Sequence, residues 1–196
     1  MSRLNIIISF SLEKSFWAIV DDNGQIIHLC TSGDKQLLCV MNKFRQVCKD
    51  DSSILQYIHS VMFDVGPGYY TGLRMGAVFA SGLSTLLDLP LYEFSWCKYL
   101  LKKNNMICFI QNSRIYVQDY DTSYIVKFNS DDDLKDKMKA LSPDVVSSTS
   151  LKYRKILLNE FNKKYIDGID PYELFFYARE YGRRVDDHND IKLIYL

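Results

Sequence analysis

Phe63-Asp64-Val65-Gly66-Pro67-Gly68-Tyr69-Tyr70-Thr71-Gly72-Leu73-Arg74-Met75-Gly76 carries more structural information than any other run in this sequence. A strand-like apolar run, Ile58 to Val65, leads into it, and a helical pattern, Gly72 to Leu87, leads out. Gly66-Pro67-Gly68 must therefore turn the chain sharply between a strand and a helix. Glycines on both sides of a proline let the backbone come very near another surface. Thr71 is placed to cap the helix that follows, and exposed amides at such a helix start attract anions. The run lacks the Lys-Ser/Thr pair of a Walker loop and the spacing of a dinucleotide fingerprint.

Upstream, Leu4 to Phe10, Phe16 to Val20 and Gln25 to Leu29 are three apolar runs, and Asp22-Asn23-Gly24 between the last two supplies a tight hairpin turn. This predicts an antiparallel meander. From Asp34 to Lys49 apolar residues recur on one helical face, at Leu37, Leu38, Met41, Phe44, Val47 and Cys48. Downstream, Pro90 introduces a short run at Leu91 and Tyr92. Beyond it, strands are expected at 106–110, 114–120, 124–128, 144–147 and 191–195, with helices at 131–141, 151–162 and 171–179. The class is mixed α/β.

Composition narrows the function. The chain has 196 residues, 47% hydrophobic and 24% charged, as an ordinary folded protein does. Its 24 Lys plus Arg balance 24 Asp plus Glu. No overall field then draws in a polyanion, and any nucleic-acid contact must be local or made by a partner. Met1 to Val20 is interrupted by Glu13 and Lys14 and reads as a strand rather than a signal peptide. No run approaches the roughly 20 apolar residues that cross a bilayer. A soluble, cytoplasmic chain is expected. Cys30, Cys39, Cys48, Cys97 and Cys108 form no C-x-x-C pair and read as buried thiols. His28, His59 and His188 are isolated, so no metal site is expected within this chain.

The glycine-rich segment resembles the G-P-G-S-F-T-G-x-R-x-G signature of the TsaB (YeaZ) family. Ala80-Ser81-Gly82-Leu83, followed by Leu89-Pro90-Leu91, continues the match, and Lys192 to Leu196 looks like the family's terminal strand. The resemblance implies the actin/sugar-kinase/Hsp70-like (ribonuclease-H-like) fold in two lobes. Residues 1–91 would form the first lobe with partner-binding helices, and 92–196 a smaller, degenerate second lobe. It implies a non-catalytic partner and scaffold of TsaD in forming N6-threonylcarbamoyladenosine at position 37 of tRNA. A TsaE-like ATPase would join, tRNA would be met indirectly, and ATP and metal would belong to the partner subunits. Self-pairing as a homodimer is an alternative arrangement. Two other readings stay open: a small ATPase or kinase of the same fold, and a peptidase-like relative.

The chain also departs from the pattern. Ser9-Phe10-Ser11 replaces the family's Asp-Thr-Ser, Gln111-Asn112-Ser113 replaces Asp-Ala-Arg, and Tyr69 replaces a small Ser. With no carboxylate in the first of these turns, a phosphoryl-transfer site is hard to build.

Gly72, Gly76, Ala80 and Ser84 recur every four residues, giving one helical stripe almost no bulk. By pattern the stripe could pack on the chain's own sheet or on a partner helix. The resemblance favours a partner interface, flanked by Leu37, Met41 and Phe44. Arg74, a cation near a helix N-terminus, is expected to meet a carboxylate or phosphate of the other subunit, the alternative being a solvated arginine beside an intramolecular carboxylate. Lys152, Arg154, Lys155, Lys163 and Lys164 read as a solvated basic face, and Asp131 to Asp133 as helix-start chemistry.

Overall fold

The computed structural model describes residues 3–32, 37–148, 150–161 and 164–195. The meander forms as the sequence predicts: β1 (Leu4–Ser9), β2 (Ser15–Asp21) and β3 (Ile26–Ser32) pair antiparallel in turn. Asp21 organises the hairpin, its Oδ1 accepting the amides of Asn23 and Gln25 at 2.9 and 2.8 Å, with Gly24 at a φ of 82°. α1 (Leu37–Asp50) follows, then β4 (Ile58–Asp64) parallel to β1, α2 (Tyr70–Leu87), and β5 (Leu91–Phe94) parallel to β4. All six residues of β1 are buried. A central strand covered on both faces lacks the usual polar alternation for this reason, although Asn5 and Ser9 of β1 are polar.

α3 (Trp96–Leu101) leads to β6 (Ile107–Gln111), β7 (Arg114–Gln118), β8 (Ser123–Lys127), α4 (Asp131–Leu141), β9 (Val145–Ser148), α5 (Leu151–Glu160) and β10 (Lys164–Tyr165). The second sheet runs β10-β9-β6-β7-β8, and the first contains the same path as β5-β4-β1-β2-β3. The element order of the first half, strand-strand-strand-helix-strand-helix-strand, is repeated in the second. This duplication of a ribonuclease-H-like half is the actin/sugar-kinase/Hsp70-like architecture, with a shortened second copy.

α6 (Pro171–Tyr181) and β11 (Arg183–Val185) then return to the first sheet, where β11 pairs antiparallel with β5. A boundary at Leu91 is thus corrected in two respects: it cuts into β5, and the first lobe is completed by residues from the end of the chain. The terminal strand expected at 191–195 does not form, since that segment joins neither sheet. Ile194 instead donates its amide to the Val65 carbonyl at 2.9 Å, crossing the glycine turn.

Three cores result. Ile6, Ile8, Trp17 and Phe63 face α1 and α2. Ile7, Phe16, Trp96, Phe109 and Phe175 fill the space between the sheets and under α3 and α6. Ile110, Ile115, Leu134 and Leu157 hold α4 and α5 on the second sheet. α4 begins as its composition demands: Ser130 Oγ accepts the Asp133 amide at 3.1 Å, while Asp133 Oδ2 accepts the Asn129 amide at 2.8 Å. No helix among the described residues is long and apolar enough to cross a membrane.

Candidate functional site

Gly66, Pro67 and Gly68 are buried in a turn whose polar groups are engaged by the chain itself. The Gly66–Pro67 peptide is cis and Gly66 has a φ of 102°, a conformation that favours glycine. The Gly66 carbonyl accepts from Ser95 Oγ at 2.5 Å, the Pro67 carbonyl from Trp96 Nε1 at 2.6 Å, and the Ser11 carbonyl accepts the Tyr69 amide at 3.1 Å. A Cβ on Gly68 would overlap Ser11, and one on Gly72 would overlap the Phe10 carbonyl oxygen. The glycines therefore admit the end of β1 to the first turn of α2, where an anion would otherwise sit.

α2 begins at Tyr70, with Tyr69 at the N-cap position and no side-chain capping bond. The expected Thr71 cap is corrected: one residue inside the helix, Thr71 points to solvent. The helix starts earlier because Tyr69 is extended and already offers its carbonyl to the Leu73 amide, at 2.8 Å.

Asp64, at the end of β4, was quoted in the motif without a role, and it proves central to this turn. Its buried Oδ2 accepts from Ser9 Oγ at 3.0 Å and from Ser11 Oγ; Oδ1 accepts the amides of Gly66 at 2.9 Å and Trp96 at 3.4 Å. Burial pushes its pKa up to about 6, against the four hydrogen bonds, which favour the carboxylate. A carboxylate does reach the end of β1, supplied by β4 rather than by β1. The expectation that this turn holds none is corrected. Ser9, which stands where the family has Asp, and Ser11 serve as its donors.

The small stripe lies inside the chain. Gly72, Gly76, Ala80 and Ser84 are all buried, the first two against Phe10, and Ser84 Oγ donates to the Leu89 carbonyl at 2.7 Å. Phe44 is also internal, edge-on to Trp17 and Phe79 at 5.2 Å each. Their assignment to a partner interface is corrected: α2 needs small residues to approach its own sheet closely. Met41 is half-buried, and the side chain of Leu37 lies outside the described residues.

The opposite face of α2 is open. Arg74 is exposed, Val78 is 68% and Leu86 78% exposed, and around Gly82 there is no atom within 4 Å of a notional Cβ. Arg74 lies 5.2 Å over the Tyr70 ring and makes no ion pair among the described residues. On the adjoining α1, Lys43, Arg45 and Lys49 are exposed. Val78 and Leu86, two helical turns apart, were the sequence signal for this face, masked by the more conspicuous small residues. By contrast, the basic cluster is partly tied down: Arg154 pairs with Glu13 at 2.8 Å and Lys152 with Asp131 at 2.7 Å. Among the described residues no three His, Cys, Asp or Glu side chains could together hold a metal ion.

YeaZ from Pseudomonas aeruginosa superposes with a TM-score of 0.62 over 99% of this chain and 100% of its own, at 14% identity. The chain has the YeaZ (TsaB) fold. A second structure, described as an uncharacterized protein with similarity to peptidase YEAZ from Pseudomonas aeruginosa, gives the same TM-score at 15% identity, covering 99% of both chains. Residues 38–112 of this YeaZ-like chain match the family model described as TsaD: tRNA N6-adenosine threonylcarbamoyltransferase. That span holds all of α1 but its first residue, the glycine turn and α2. No curated protein matches the sequence.

Proposed function

We propose that this YeaZ-like chain is a non-catalytic partner of a TsaD-like subunit in forming N6-threonylcarbamoyladenosine at position 37 of tRNA. The observation that carries the reading is the open face of α2, where Val78, Gly82 and Leu86 stand without intramolecular cover and the exposed Arg74 touches only its helix neighbour Tyr70 among the described residues. Two exposed aliphatic side chains beside a glycine suit a second helix, which can approach closely at Gly82 and bury both. Arg74 then supplies a cation at one end for a carboxylate of the partner. The match of residues 38–112 to a TsaD family model supports the choice of occupant, because that span contains this face. In this reading ATP and metal are held by the TsaD-like and TsaE-like subunits, tRNA is met through them, and the assembly works in the cytoplasm.

A kinase or ATPase of the same fold is disfavoured by the same geometry. The amides and glycines that would cradle a phosphate receive Phe10 and Ser11, and Asp64 is buried among its four donors.

The test is sedimentation of the chain with the TsaD-like protein of the same organism. Val78→Asp with Leu86→Asp should abolish the complex while leaving the thermal unfolding of the isolated chain unchanged, since neither side chain is buried. Full binding by this double variant would sink the docking face. Self-association of the parent chain, lost in the variant and undisturbed by the TsaD-like protein, would assign the face to a homodimer instead.

A further inference from the structure

At the opposite end of the first sheet, between its base and α6, lies a cavity of about 230 Å³ that the docking proposal does not use. Its floor is an unusual pair for a covered sheet. Asn5 of β1 and Ser60 of β4 are register partners, both buried, and Ser60 Oγ donates to Asn5 Oδ1 at 2.7 Å. Asn5 Nδ2 donates to Asp22 Oδ1 at 3.2 Å. The next pair along the same face is Ile7 with Met62, which is core. Two short polar residues in place of large apolar ones leave a hollow with hydrogen-bonding groups at its base.

The walls carry two guanidiniums and an imidazole. Arg3, His59 and Arg179 all line the cavity, and none of them makes an ion pair among the described residues. Arg179 is held in position: Nη1 donates to the Asp22 carbonyl at 2.7 Å, and the guanidinium lies 5.7 and 5.4 Å over the rings of Phe175 and Phe176. Such stacking fixes the plane of the fork and leaves its other N–H groups for a ligand. Asp22 contributes the single carboxylate of the lining, so two guanidiniums face one negative charge.

We propose that this cavity binds a phosphate-class oxyanion. Two guanidinium forks with an imidazole and an amide N–H offer more donors than a planar carboxylate can accept, whereas the oxygens of a tetrahedral oxyanion accept from several directions at once. The volume is below the roughly 300 to 1,000 Å³ of pockets that enclose drug-sized ligands. It suits free phosphate or the phosphoryl group of a small ester.

Calorimetric titration of the full chain with inorganic phosphate, at constant ionic strength, should give saturable one-site binding. Arg3→Gln and Arg179→Gln should each weaken it by about tenfold, the scale of one lost charged contact. Because Arg179 also holds Asp22, Arg3→Gln and His59→Gln are the variants that leave the fold untouched, and Lys152→Gln on the far lobe is the control. Ribose 5-phosphate, titrated separately, assigns the oxyanion to an ester if it binds more tightly and to the free ion if it binds less tightly. Absence of saturable binding, parental affinity in both Arg3→Gln and His59→Gln, or acetate binding as tightly as phosphate would each overturn the assignment.

Discussion

The carbonyl oxygen of Phe10 occupies the space that a Cβ on Gly72 would need. With the matching approach of Ser11 to Gly68, this contact closes the end of β1 onto the start of α2. A motif that looks like a ligand cradle becomes an internal joint, and the same joint brings Ser9 and Ser11 to Asp64.

Glycines on the two faces of α2 should respond oppositely to alanine. Gly72→Ala forces backbone apart and is expected to destabilise the chain by about 1 to 3 kcal/mol. Gly82→Ala, in open space within a helix, should stabilise it by up to about 1 kcal/mol. Gly76 is intermediate: a Cβ there would meet Phe10 at 3.6 Å, an ordinary contact, so alanine fits and leucine overpacks. Denaturant unfolding of the variants ranks them, and equal effects at Gly72 and Gly82 would contradict the joint.

Caps should separate in the same way. Thr71→Ala is expected to change stability by less than about 0.5 kcal/mol, because no bond is lost. Ser130→Ala and Asp170→Ala each remove a capping acceptor, for the amides of Asp133 and Tyr172, and should cost about 1 kcal/mol.

Asp64 sets a pH dependence whose sign follows from its burial. Its pKa stands at about 6 in the folded chain against 3.8 for an ordinary aspartate. Between those values the folded state holds the proton more tightly than the unfolded state. The stabilisation is complete below about pH 4 and is lost as pH rises through 6, an effect on the order of 3 kcal/mol. Asp51, Asp119 and Asp133, whose values are lowered by hydrogen bonds, act in the opposite sense and only in the acid range below 4. Asp64→Asn, whose amide can donate to Ser9 and Ser11, should flatten the decline between pH 4 and 6.5. An unchanged profile in that variant would remove Asp64 as its source.

Glu13 and Arg154 join the first lobe to the second, with Asp167 at 3.7 Å from the same guanidinium. The carboxylate is mostly shielded and the arginine about one-third exposed. A double-mutant cycle should return a coupling of about 1 kcal/mol that weakens with added salt. A coupling of zero at low salt would reduce the pair to a surface contact.

Local patterns determined much of this protein. Asn23-Gly24 between apolar runs specified the meander, Asp131 to Asp133 marked the start of α4, and Gly66-Pro67-Gly68 specified a turn from β4 into α2, because torsional and capping preferences are properties of neighbouring residues. Short-range signals missed α3, β10 and β11, which owe their existence to surfaces built elsewhere: Trp96 is placed by the Pro67 carbonyl, and β11 by the free edge of β5. Only the tertiary structure decided which face of α2 is covered. A stripe of small residues says that something comes close, but the atoms that approach its glycines are those of Phe10, some sixty residues earlier in the chain. The same holds for Asp64, whose donors come from β1, and for the cavity at Asn5 and Ser60, which exists only where β1, β4 and α6 converge. Such pairings depend on long-range packing, which no local period encodes.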